Sequence, residues 1–261
     1  MNKIAVCGKG GSGKSVVVRL LAGGLRNRGR KVVVIDSDES NTGLYRMLGF
    51  EKSPEPLIGL LGGKKKLEAM LEESIRDGIP EMQVDLVRRE LQLMDIPLQY
   101  MLERDGIRLI SIGKILMALE GCACPMGIVS RSFLKQLRLE PDEIAVIDME
   151  AGVEHFGRGV ETSIDCVLVV VEPSLDSMEV AEKIKELSGQ IQLADVWAIL
   201  NKIPSDDIKR RLTDHLEKKD INVIGTIHQN QEIFLSSLEG RPFNGSVAEK
   251  EVDKILDFLF P

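Results

Sequence analysis

The chain has no excess of positive charge: its 261 residues carry 41 Asp and Glu against 34 Lys and Arg, a formal net charge of −7. A general electrostatic attraction to nucleic acid or anionic lipid is therefore not expected, which leaves small ligands and other proteins as the expected partners. Long apolar runs are also missing. Cys166 to Val171 is among the longest, far below the roughly 20 residues that span a bilayer. The amino terminus, MNKIAVCGKGG, passes from one lysine into an apolar strand and then glycines, without a hydrophobic leader or a small-residue cleavage site. A soluble cytoplasmic protein is expected. Cysteine is scarce, with four residues, and a reducing compartment excludes a disulfide framework. No repeat of fixed period and no low-complexity linker divides the chain, so residues 1–261 are expected to form a single domain.

Short apolar runs alternate with stretches of helical periodicity, the pattern of βα units around a parallel sheet. Seven strands are expected: Lys3 to Cys7, Lys31 to Asp36, Ile107 to Ile112, Ile144 to Asp148, Cys166 to Val171, Val196 to Asn201 and Asn222 to Ile227. Helices are expected from Lys14 to Arg28, Met126 to Leu137, Ser177 to Gln190, Asp207 to Lys218 and Val247 to Phe260. Asp176 followed by Glu179 fits a helix-start capping pattern. Residues 41–105 interrupt the alternation with helix-forming sequence and read as a helical insertion after the second strand. In the last expected helix Val252, Ile255, Leu256 and Leu259 form an apolar face opposite acidic residues. That pattern suits docking onto the domain rather than onto a membrane.

The strongest chemical signal is GKGGSGKS, Gly8 to Ser15, between the first strand and the first helix. Gly8, Gly10 and Gly13 also fit the G-x-G-x-x-G dinucleotide pattern, with Asp36 ending the second strand, but Lys14-Ser15 decides for a P-loop. Backbone N–H groups of Gly8, Lys9, Gly10, Gly11, Ser12 and Gly13 would wrap phosphate oxygens. Lys14 would reach the β and γ phosphates, and Ser15 would offer its hydroxyl to Mg2+. The helix N-terminus adds a favourable dipole. Lys9 is a second lysine inside the loop, which an ordinary P-loop does not need, and it suits a charge-stabilising role like that of an arginine finger. Two carboxylate segments follow at strand ends, Asp36-Ser37-Asp38-Glu39-Ser40-Asn41 and Asp148-Met149-Glu150-Ala151-Gly152. The apolar run before Asp148 is the setting of an acid that holds the magnesium hydration shell through water. Asp38 is placed to orient or deprotonate the attacking water, and Gly152 to approach the γ-phosphate with its N–H.

Cys7 and Cys166 lie in β-branched apolar runs, where a thiol behaves as a small hydrophobe. Cys122 and Cys124 lie in GCACPMG, a turn bounded by glycine and proline with no apolar run to bury them.

KGGSGKS, DSDESN, DMEAG and the strand-end Asn201-Lys202 together resemble the deviant Walker A ATPases, the class of the nitrogenase iron protein and of septum-positioning and plasmid-partition ATPases. Through DMEAGVEHFGRG and the Cys-Ala-Cys turn, the chain is similar to the CooC- and AcsF-type nickel-insertion ATPases of carbon monoxide dehydrogenase and acetyl-CoA synthase maturation. The resemblance implies binding and hydrolysis of ATP to ADP with Mg2+. It also implies Lys9 reaching across a homodimer, Asp38 acting in hydrolysis, Ser15 meeting magnesium and Asn201, with Lys202 beside it, at the adenine. His228 stands where relatives often have proline. Soft thiolates suit zinc, copper(I), iron–sulfur clusters and nickel, and two sulfurs rarely close a site. A twofold dimer bringing two turns together would supply four. The expected function is therefore an ATP-dependent metallochaperone that carries nickel or zinc on Cys122 and Cys124 and serves carbon monoxide dehydrogenase or acetyl-CoA synthase. An iron–sulfur cluster carrier, an ATP-gated reductase and a positioning ATPase are the alternatives.

Overall fold

A computed structural model describes residues 1–76, 86, 90–114, 124–157, 159–193, 195–242 and 248–261, without the side chains of residues 71, 74, 75, 124, 125, 157 and 161. The strands are β1 (Lys3–Gly8), β2 (Lys31–Asp36), β3 (Met101–Arg104), β4 (Ile107–Ser111), β5 (Glu143–Asp148), β6 (Cys166–Val171), β7 (Val196–Ile203) and β8 (Asn222–His228). The helices are α1 (Lys14–Asn27), α2 (Leu44–Met47), α3 (Lys64–Arg76), α4 (Cys124–Gln136), α5 (Glu154–Gly157), α6 (Leu175–Gln190), α7 (Asp206–Glu217), α8 (Gln231–Glu239) and α9 (Glu249–Leu259).

The strands form one sheet in the order β3-β4-β2-β5-β1-β6-β7-β8, parallel throughout except for β3, which runs antiparallel to β4 at one edge. Central strands such as KVVVID and CVLVVV are apolar on both sides because helices cover both faces. Odd and even positions of β1 divide accordingly, with Ala5 and Cys7 in one buried cluster and Ile4 and Val6 in the other. Cys7 and Cys166 are fully buried, as their apolar runs predict, and burial pushes the Cys166 thiol well above its usual range. The apolar face of α9 is buried as expected. Val252 and Leu256 pack onto α1 so closely that a Cβ at Gly24 would lie 2.8 Å from each. No helix among the described residues is long and apolar enough to cross a membrane.

The sheet has eight strands, one more than the seven expected, and the extra strand lies within residues 41–105, so that insertion is not purely helical. Asp105 and Gly106, both at positive φ, turn β3 directly into β4; Asp-Gly is a strong hairpin signal, and four residues of MLER have little pattern of their own. The helix α8 was also not expected. Asn230 caps it, accepting from the N–H groups of Glu232 and Ile233, and Gly240 ends it at φ +65°. Ser174, not Asp176, caps α6 by accepting from the Ser177 N–H. The helix α4 begins at Cys124, two residues before the expected Met126, with Pro125 in its first turn, where a missing N–H costs nothing.

Candidate functional site

In an open α/β sheet, ligands bind beyond the carboxyl ends of the parallel strands. The loop from Lys9 to Gly13 leaves β1 at that edge and enters α1. Its N-cap, Gly13, sits at φ +94° with no side-chain cap, so the first N–H groups of a 14-residue helix are left for an anion. Gly8 is required at its position: at φ +140° a Cβ would lie 2.5 Å from the Val170 carbonyl oxygen of the neighbouring strand. A cavity of about 490 Å³ opens over the loop, between Lys14 and Ser15 at one end and Ile227, Ile233 and Phe234 at the other. That volume suits a small-molecule ligand.

At the phosphate end, the Lys14 ammonium is buried and donates to the Lys9 carbonyl at 3.4 Å. The Ser15 hydroxyl donates to Asp148 Oδ2 at 2.6 Å and accepts from Asn41 Nδ2 at 2.7 Å. Asp38 lines the cavity, its Oδ1 accepting from the N–H and hydroxyl of Ser40 and from the Asn41 N–H. The start of α1 and the ends of β2 and β5 thus place Lys14, Ser15, Asp38 and Asp148 near one another.

Asp148 is completely buried, and its second oxygen, Oδ1, has no hydrogen-bond partner among the described residues. An orphaned carboxylate oxygen beside a serine hydroxyl fits the hydration shell of a divalent cation. Burial, then the charge of Asp36, pushes the Asp148 carboxyl up to about 7. Burial likewise raises Asp36 to about 6, against the opposing pull of Lys114, whose ammonium lies 2.7 Å from its Oδ1.

A carboxyl that binds its proton more tightly when folded destabilises the fold as pH rises through the interval between its unfolded and folded values. For Asp148 that interval runs from 3.8 to about 7. Without magnesium and nucleotide, Tm is therefore expected to fall between about pH 4 and pH 7, and Asp148→Asn to flatten the slope. A calorimetric series in which both proteins show the same pH dependence would remove Asp148 as the cause.

Other expected residues are engaged within the chain. Lys9 Nζ lies 3.3 Å from Glu172 Oε1 and 3.8 Å from Asp176 Oδ2. Lys202, at φ +58°, holds the other Glu172 oxygen at 2.9 Å and donates to the Gly11 carbonyl. Asn201 is buried on the cavity wall and donates to the Ser12 carbonyl at 2.8 Å, which braces the loop. The Gly152 N–H donates to the Gly8 carbonyl at 3.2 Å. It can meet a phosphate only after that bond is exchanged. His228 pairs with Glu251, and His155 Nε2 lies 3.1 Å from the Gly152 carbonyl oxygen.

Cys122 lies outside the described residues, as does the Cys124 side chain. Among the described residues no cluster of three or more metal-ligating side chains occurs. Glu172 and Lys114 were not expected at the site. Each is a lone charge at a strand end, a weak signal in sequence alone.

The CobQ/CobB/MinD/ParA nucleotide binding domain matches residues 3–243. The chain belongs to this family. It is a P-loop ATPase, and it binds ATP or ADP. An uncharacterized ATP-binding protein of Methanocaldococcus jannaschii is 40% identical over 97% of this chain and 99% of its own length. The carbon monoxide dehydrogenase accessory protein CooC of Rhodospirillum rubrum is 34% identical over 78% of this chain and 75% of its own. Family members of known structure share the fold. The MinD cell division protein of Aquifex aeolicus superposes with a TM-score of 0.66 at 17% identity, covering 99% of this chain and 96% of that one.

Proposed function

We propose that this ATPase is a metallochaperone: a homodimer that carries a nickel or zinc ion on Cys122 and Cys124 and uses ATP to drive nickel insertion into a client enzyme of the carbon monoxide dehydrogenase or acetyl-CoA synthase kind. The CooC relative supports the client class. The observation that carries the coupling is a bond between the nucleotide site and the helix that begins at Cys124. The Ser37 hydroxyl, one residue before Asp38, lies 2.9 Å from the hydroxyl of Ser130 in α4, and Ser130 is buried. A displacement of the Asp36 to Asn41 segment by phosphate would therefore be felt by α4, and metal binding would act back on nucleotide binding by the same amount.

In this reading the whole chain, residues 1–261, works as one domain in the cytoplasm. Gly8 to Gly13 and Lys14 bind the phosphates. Ser15 and, through water, Asp148 would hold Mg2+, whose charge offsets that of the phosphates. Asp38 orients the attacking water. Lys9 leaves Glu172 to reach the phosphates of the partner subunit, and Gly152 exchanges the Gly8 carbonyl for phosphate. Asn201 and Lys202 close the loop side of the base pocket.

Anaerobic nickel titration of the metal-free protein, followed by absorption and gel filtration with ADP or ATP, tests this reading. One ion per two chains, an affinity that differs between ADP and ATP, and ATP-promoted dimerisation are expected, with Lys9→Ala remaining monomeric in ATP. A broad band near about 400 nm from protein purified anaerobically would favour an iron–sulfur carrier instead. Nickel affinity identical with ADP and ATP would overturn the coupling. An ATP-loaded Lys9→Ala variant that elutes as a dimer would count against the crossing lysine.

A further inference from the structure

We infer that Lys114 is a positioning residue for ATP hydrolysis, holding the Asp36 to Asn41 segment so that Asp38 faces the attacking water. The inference rests on the role given to Asp38 above. Lys114 follows β4, and its side chain is only 9% exposed. An ammonium carries three N–H donors, and each finds an acceptor in this one segment: Asp36 Oδ1 at 2.7 Å, the Asp38 carbonyl and the Asn41 carbonyl.

Neutralising the buried Asp36 carboxylate would need only the first of these contacts. The other two fasten both ends of the turn that the Asp38 carboxylate closes by accepting from Ser40 and Asn41. Asn41 in turn donates its side-chain amide to Ser15. One cation therefore fixes the strand end, the backbone of Asp38 and, through Asn41, the serine of the P-loop. Arginine is a poor replacement, because its donors lie in one plane on separate nitrogens, whereas the three acceptors surround a single nitrogen.

Two roles for Lys114 make different predictions. If it only balances the charge of Asp36, removing both charges together restores what removing one has lost. If it positions Asp38, the carbonyl contacts stay lost in the double variant.

The test compares Lys114→Met, Lys114→Met with Asp36→Asn, Lys114→Arg and Asp38→Ala, measuring Tm, kcat and KM for ATP. Lys114→Met is expected to lower Tm and to reduce kcat at least about tenfold while KM stays within about threefold, the pattern of a misplaced catalytic group. Adding Asp36→Asn is expected to recover Tm without recovering kcat, and Lys114→Arg is expected not to restore it. Wild-type kcat in Lys114→Met, or kcat returning together with Tm in the double variant, would overturn the positioning role. Asp38→Ala separates the two ideas. Full turnover in that variant removes the role of Asp38 and this inference with it. Loss of turnover there, beside normal turnover in Lys114→Met, removes this inference alone.

Discussion

Replacing Asp38 with alanine is expected to reduce kcat for ATP hydrolysis at least about 100-fold, the usual loss when a positioned acid–base group is removed, while ATP affinity changes less than about threefold. Phosphate binding is assigned to Lys14 and to backbone N–H groups, none of which bonds the Asp38 side chain. The carboxylate accepts three hydrogen bonds from Ser40 and Asn41, so alanine also loosens the turn. Asp38→Asn separates the two effects. Its side-chain carbonyl can still accept from the turn, yet an amide cannot take a proton from water, and turnover should remain lost. Single-turnover hydrolysis beside equilibrium nucleotide binding measures both. Undiminished turnover in Asp38→Asn would assign the loss in the alanine variant to the turn.

The cysteines should behave in the opposite way. Cys122→Ala and Cys124→Ala are each expected to weaken nickel binding on the order of 100-fold or more, because a site shared by two chains would fall from four thiolates to two. Metal-induced dimerisation should be lost with it, and ATP affinity should stay close to wild type. Lys14→Ala gives the mirror result, with nucleotide binding weakened and the thiolates untouched. Equilibrium metal titrations of the two single variants, followed by gel filtration, decide the matter. Wild-type affinity and metal-dependent dimerisation in either one would leave the turn as an inert pair of thiols.

Much of the fold was readable because its signals are local. The P-loop is eight consecutive residues between an apolar strand and a periodic helix, and the buried strands are short β-branched runs whose character does not depend on distant partners. β3 and α8 were missed although Asp105-Gly106, Asn230 and Gly240 mark their ends. Their own stretches are short, and MLER has no alternation strong enough to stand out against the helix-forming sequence before it.

By itself the sequence determined the family chemistry: glycines where the backbone must curl round phosphate, Lys14 and Ser15 at the helix start, and acids at the ends of apolar strands. Only the tertiary structure decided which charges meet. Lys9 and Glu172 are 163 positions apart, and Lys114 and Asp36 are 78 apart; no local pattern joins them until the sheet order sets their strand ends side by side. The raised proton affinities of Asp36 and Asp148 have the same origin. An aspartate at the end of a strand is an ordinary acid in an unfolded chain, and becomes a perturbed one when the surrounding elements remove its water.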